Sequence, residues 1–163
     1  MITLHLAEQA DTERLGAALA GLLRAGDAVL LEGPLGAGKS CLARALLRAA
    51  SGDASLEVPS PSFTLVQSYR TPGLVVHHLD LWRLPAPPDV EPRALEELGW
   101  FELLQDAVLV EWPDRLGALA PAEALRVRLA YAGDGAARDA VLSGWGERLR
   151  ALEPVFASIG WAG

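Results

Sequence analysis

Apolar residues recur along this chain with two periods, and the changes between them mark out its elements. Ile2-Thr3-Leu4-His5-Leu6 alternates and predicts a short strand. A helix capped by Asp11 follows, with Leu15, Leu19, Leu22 and Leu23 on one side, ending near Gly26. Ala28-Val29-Leu30-Leu31 is an unbroken apolar run, the pattern of a strand buried on both faces. A glycine-rich loop leads into a helix reaching about Ala50, with Leu42, Ala45, Leu46 and Ala49 on one face. Residues 51–61, rich in Ser, Pro and Gly, form a loop. Phe63 to Tyr69 and Leu74 to Leu79 flank Arg70-Thr71-Pro72-Gly73, which predicts an antiparallel hairpin. After a Pro-rich stretch, Pro85 to Pro92, a helix over 93–104 is broken at Gly99. Ala107-Val108-Leu109-Val110-Glu111 is a second buried-type strand. Leu125 to Tyr131 alternates, Ala137 to Leu142 pairs with it across Gly133-Asp134-Gly135, and a helix from Gly146 to Phe156 closes the chain.

Strands interleaved with helices predict an α/β domain spanning 1–163, with a mixed, mostly parallel central sheet in a three-layer arrangement around the glycine-rich loop. An apolar content of 51% over 163 residues suffices for one core. The net charge of −7 argues against broad nucleic-acid binding, which needs a basic surface. The single cysteine, Cys41, excludes an internal disulfide and reads as a packing residue. The sequence shows neither a secretory signal pattern nor a run of about eighteen apolar residues, so the expectation is a soluble, cytoplasmic protein with no membrane partner.

One lysine stands among the 14 basic residues, leaving 13 arginines (14 − 1 = 13). It is Lys39, in Gly33-Pro34-Leu35-Gly36-Ala37-Gly38-Lys39-Ser40, which satisfies the phosphate-binding pattern G-x-x-x-x-G-K-[ST]. A compact ammonium fits between phosphate oxygens, where a forked guanidinium does not. The loop follows a strand and opens a helix, so backbone N–H groups and a positive dipole end face the anion.

Nucleotide hydrolysis in such a loop also needs Mg²⁺, held by the loop hydroxyl and by a carboxylate at the end of a neighbouring strand. Ser40 supplies the hydroxyl, and Asp80 and Glu111 each end an apolar strand. Ser60-Pro61-Ser62-Phe63-Thr64 fits a switch segment sensing the γ-phosphate, or an ordinary entry turn. Trp112 on local evidence reads as core, since five tryptophans in a small chain mostly pack. His77 and His78, adjacent in a strand, point to opposite faces and cannot pair on one metal, so packing or hydrogen bonding is their expected role.

The phosphate loop, Val58-Pro59-Ser60-Pro61-Ser62-Phe63-Thr64-Leu65-Val66, His78-Leu79-Asp80-Leu81-Trp82-Arg83-Leu84 and Val110-Glu111-Trp112-Pro113 occur in this order. Together they resemble the bacterial TsaE (YjeE) family, the ATPase of tRNA threonylcarbamoyladenosine biosynthesis, over roughly residues 6–138. The resemblance implies ATP or ADP on Gly33 and Gly36 to Cys41 (Ala37, Gly38, Lys39 and Ser40 between), and Mg²⁺ on Ser40 and Glu111. Asp80 matches an essential aspartate near the metal and γ-phosphate. Residues 60–64, including Thr64, match the switch region, and Trp112 a tryptophan beside the nucleotide. Glu8 to Thr12 matches an N-terminal segment touching the nucleotide, and Arg138 a nucleotide-contacting arginine. It also implies partners: a TsaD-type threonylcarbamoyl transferase and its TsaB-type paralogue, with tRNA engaged through that complex. Pro34, Ser40, Ser62 and Trp82 depart from common family residues without removing a required group.

The expected activity is weak Mg²⁺-dependent ATP hydrolysis, with Lys39, Asp80 and Glu111 as catalytic residues and Arg83 or Arg138 as candidate arginine fingers. The alternatives are a small-molecule P-loop kinase and a non-hydrolysing, nucleotide-gated binding module.

Overall fold

A computed structural model describes residues 1–160, which build a seven-stranded sheet with helices against both faces. The elements are β1 (Ile2–Leu6), α1 (Gln9–Ala20), β2 (Ala28–Glu32), α2 (Lys39–Ser51), β3 (Val66–Thr71), β4 (Leu74–Asp80), α3 (Pro92–Glu97), α4 (Trp100–Leu103) and β5 (Ala107–Glu111). A 3-10 helix (Pro113–Leu119), β6 (Leu125–Tyr131), β7 (Arg138–Ser143), α5 (Glu147–Arg150) and α6 (Glu153–Ser158) follow. The strand order is β1-β7-β6-β2-β5-β4-β3. The four central strands, β6, β2, β5 and β4, are mutually parallel, and antiparallel pairs close both edges. The sheet is thus mixed with a parallel centre, as the alternation of strands and helices predicts.

Alternation along β2 divides the core into two. Val29 and Leu31 pack on the side of α1, α2 and the C-terminal helices; Ala28 and Leu30 pack on the side of α3, α4 and the 3-10 helix. Both faces of β2 and β5 are covered, which is why their sequences carry no polar alternation. Each fully buried leucine of these layers contributes about 1.5–3 kcal/mol of transfer free energy. Where α1 crosses α2, a Cβ on Gly16 would lie 2.6 Å from the Leu42 carbonyl, so glycine sets the closeness of that crossing.

Several boundaries differ from the sequence reading. Glu8, not Asp11, is the N-cap of α1; Asp11 sits at N3 and accepts from the Glu8 N–H at 3.2 Å, completing a reciprocal capping box. The Asp11 carboxyl is held below its ordinary pKa, first by the hydrogen bond from Arg14. Helix α1 stops at Ala20 rather than near Gly26. In α2 the buried face is Leu42, Ala43, Leu46 and Leu47; Ala45 turns toward Gly16 of α1, and Ala49 is exposed. Strand β3 begins at Val66, because Leu65 adopts a left-handed φ of 67° that interrupts extended pairing. The C-terminal helix is two short helices. Gly99, at φ 88°, breaks the α3–α4 segment as its position foretold.

Candidate functional site

The parallel register sets Asp80 directly beside Glu111 at the carboxyl ends of β4 and β5, and Leu31 of β2 on the other side of Glu111. That edge is where open α/β sheets bind ligands. The phosphate loop leaves β2 there and delivers α2, whose N-cap Gly38 takes φ 108°, a conformation only glycine holds cheaply. Above it opens a cavity of about 480 Å³. Its wall includes Gly36, Gly38, Lys39, Ser40, Cys41, Asp80, Glu111, Trp112 and Arg138, and Thr12 reaches it from α1.

Within the cavity the polar groups are organised around Glu111, which is 2% exposed. Ser40 Oγ donates to Glu111 Oε1 at 2.9 Å, and His78 Nε2 meets Oε2 at 2.7 Å. The buried His78 Nδ1 has no partner among the described residues. Asp80 is held separately: Ser60 Oγ donates to Oδ2, and the Trp82 N–H donates to Oδ1 at 3.1 Å. His77 lies on the other face with Ser68 and Asp106, so the two histidines diverge as alternation requires.

Lys39 is buried, and its Nζ donates to the carbonyls of Gly33 at 2.6 Å and Pro34 at 2.9 Å. Burial lowers its pKa; the charges of Glu111 and Asp80 oppose that shift. Trp112 stands with its ring centroid 4.1 Å from Nζ. A left-handed φ of 58° at the end of β5 turns Trp112 out of the sheet and over the loop. Its ring also packs against Trp82, centroids 4.4 Å apart. Trp112 is therefore a wall of the cavity, not only a core residue, which corrects the reading from local composition.

Other expected site residues fall elsewhere. Glu8 is spent on the cap of α1, and Thr64 is exposed and donates to the Val66 carbonyl; neither lines the cavity. Gly33 and Ala37 act beneath it: a Cβ on Gly33 would lie 2.5 Å from the Leu129 carbonyl, and Ala37 is fully buried. Arg83 lies over the exposed Phe63 ring at 4.1 Å and is not in the cavity wall. Arg138 is, but its guanidinium donates to loop and hairpin carbonyls. Cys41 is half-buried and its thiol pKa is raised, first by burial. Gln9, inside the expected Glu8 to Thr12 segment though not named individually, lines the cavity, as do Leu35 and Ala136, which were not expected there. Gln9 stands one turn before Thr12 on the same helix face, a signal available in the sequence; the other two carry no chemical signature.

The donor set fits a hard cation. Ser40 and Glu111 offer oxygen side by side, and no group of three or more His, Cys, Asp or Glu side chains that would cage a metal exists among the described residues. Mg²⁺ takes few protein ligands and fills the remainder with water and phosphate.

The family model for "Threonylcarbamoyl adenosine biosynthesis protein TsaE" matches residues 6–140. The chain belongs to the TsaE family. Curated family members named tRNA threonylcarbamoyladenosine biosynthesis protein TsaE are similar over most of their length. The Rickettsia bellii protein is 32% identical, covering 79% of this chain and 86% of its own. The Nostoc protein is 36% identical, covering 83% and 82%. The Mycobacterium bovis protein is 39% identical, covering 73% of each. The crystal structure of Bacillus subtilis YdiB superimposes with a TM-score of 0.71 over 97% of each chain at 24% identity, which shows the shared fold. The TsaE match spans the capped start of α1, the phosphate loop, both strand-end carboxylates and the first residues of β7. No helix among the described residues is long and apolar enough to cross a membrane.

Proposed function

We propose that this TsaE-family chain is the Mg²⁺-dependent ATP-binding and ATP-hydrolysing subunit required for threonylcarbamoylation of adenosine in tRNA. The observation that carries the reading is the Ser40–Glu111 pair beside Lys39 in a cavity at the carboxyl edge of the parallel strands. Lys39 and the loop N–H groups hold the β- and γ-phosphates; for this the ammonium exchanges the Gly33 and Pro34 carbonyls for phosphate oxygens. Ser40 and Glu111 would hold Mg²⁺, with His78 fixing the Glu111 carboxylate. Bound there, the cation would supply positive charge to offset the negative charge of the phosphates in the transition state. Asp80, one strand further, orients the water that attacks the γ-phosphorus while the bond to ADP breaks.

Arg83 lies outside the cavity wall and Arg138, in it, donates to loop and hairpin carbonyls, which supports slow turnover by the isolated chain and completion of the site by a partner. The partners are a TsaD-type transferase and a TsaB-type paralogue; ATP hydrolysis resets their complex between turnovers, and tRNA is met through it. The test is phosphate release with Mg²⁺, alone and with both partners, beside threonylcarbamoylation of tRNA by the full set. Slow release that the partners accelerate, with modification dependent on this chain, is expected. Phosphate transfer to a nucleoside or amino acid would assign a kinase instead, and nucleotide binding without release in the full set a binding module.

A further inference from the structure

The tip of the phosphate loop is held from outside by the hairpin of β6 and β7. Tyr131, the last residue of β6, donates its hydroxyl to the Leu35 carbonyl. Arg138, directly opposite it as the first residue of β7, donates Nη2 to the Gly36 carbonyl at 3.2 Å. The same guanidinium lies 4.7 Å from the Tyr131 ring centroid and donates to the Ala137 carbonyl at 2.8 Å. Two consecutive loop carbonyls are thus tied to one rigid pair.

A trans peptide points its C=O and N–H in opposite directions. A Leu35 carbonyl fixed toward Tyr131 therefore turns the Gly36 N–H away from Tyr131. The Gly36 carbonyl, fixed toward Arg138, does the same for the Ala37 N–H, which closes the turn onto the Pro34 carbonyl at 3.1 Å. Gly36 has φ 80°, and a Cβ there would lie 2.6 Å from the Tyr131 hydroxyl, so the contact exists only because the loop has glycine at this place. Leu35, Gly36 and Arg138 line the cavity, and Tyr131 does not. The phenol is 54% exposed, so the core does not require it.

We propose that Tyr131, supported by Arg138, is a positioning residue for phosphate recognition: it sets the Leu35–Gly36 peptide so that the Gly36 amide faces the di- or triphosphate. This rests on the reading of the cavity as a nucleotide site. It also gives Arg138 a role in shaping the loop rather than in touching the nucleotide alone. Backbone amides that are aimed before the ligand arrives bind an anion without the cost of reorienting peptides.

The test is Tyr131→Phe, which keeps the ring under Arg138 and removes only the hydroxyl. Calorimetry measures ADP and inorganic pyrophosphate affinity, melting without ligand measures stability, and hydrogen exchange follows the amides of residues 35–39. The expected result is roughly three- to ten-fold weaker binding of both probes, the range of one net hydrogen bond. Melting should fall by no more than about 6 °C, and exchange should be faster only at the loop tip. Unchanged affinity for both probes would overturn the proposal. Should melting fall further, faster exchange confined to 35–39 upholds it and uniformly faster exchange overturns it. If the unsubstituted protein binds neither probe, the nucleotide reading itself fails, which is a different outcome from equal binding by the two proteins.

Discussion

Replacing Glu111 by glutamine removes one charge while keeping the side chain's shape, and its consequences can be worked from the contacts. The amide oxygen can still accept from Ser40, as Oε1 does at 2.9 Å. The amide nitrogen now faces His78 Nε2, which meets Oε2 at 2.7 Å, so the ring must become an acceptor there and carry its proton on the unpartnered Nδ1. On the proposed reading, what is lost outright is a carboxylate for the cation. A contact to a charged group is worth about 1.5–3 kcal/mol, so Mg²⁺ affinity in the nucleotide complex should fall roughly 10- to 150-fold. ADP binding in EDTA should hold or tighten, because a negative charge beside the phosphates has gone. The assay is calorimetric titration of ADP at a series of Mg²⁺ concentrations and again in EDTA, with phosphate release measured in parallel. A Glu111→Gln protein with the Mg²⁺ dependence of the original would refute the assignment of this carboxylate to the cation.

Lys39→Ala should weaken ADP binding by an order of magnitude or more, read by calorimetry, if its ammonium, which donates to the Gly33 carbonyl, is the loop's point charge for phosphate. Asp80→Asn should suppress phosphate release at least ten-fold while leaving ADP affinity within about two-fold, if Asp80 acts on the attacking water. Gly16→Ala should destabilise the protein by about 1–3 kcal/mol in urea denaturation, because its methyl meets the Leu42 carbonyl and pushes α1 from the helix that follows the phosphate loop. Tyr69→Phe should stabilise by about 1–2 kcal/mol, as the buried Tyr69 hydroxyl has no partner among the described residues. Burial raises the Tyr69 pKa above 10.0, so the unfolded chain ionises first and stability is lost as pH rises past that value. The phenylalanine variant should lose that part of the alkaline decline in denaturation series.

Most of the order of elements and the backbone geometry of the loop were legible from residue type and spacing. A glycine-rich turn between an unbroken apolar strand and a helix admits one arrangement, because only glycine holds φ 108° at Gly38 and only the helix start presents unpaired amides to an anion. Asp80 and Glu111 were legible as strand ends, since an apolar run terminating in a carboxylate marks where the chain leaves the sheet. Their different hydrogen-bond partners were not legible. Glu111 meets Ser40 and Asp80 meets Ser60 because β5 lies beside β2 and β4 one place further out, and strand order is decided by packing between segments far apart in sequence. The same holds for Trp112, whose composition reads as core until the left-handed turn after β5 swings it over Lys39. It holds most of all for Tyr131: an alternating strand predicts its ending, but only the β2–β6 pairing brings a residue 96 positions away in the chain against the Leu35 carbonyl. Local sequence sets φ, ψ and hydrophobic period, whereas contacts across the sheet come from burying two faces at once, a property of the whole chain.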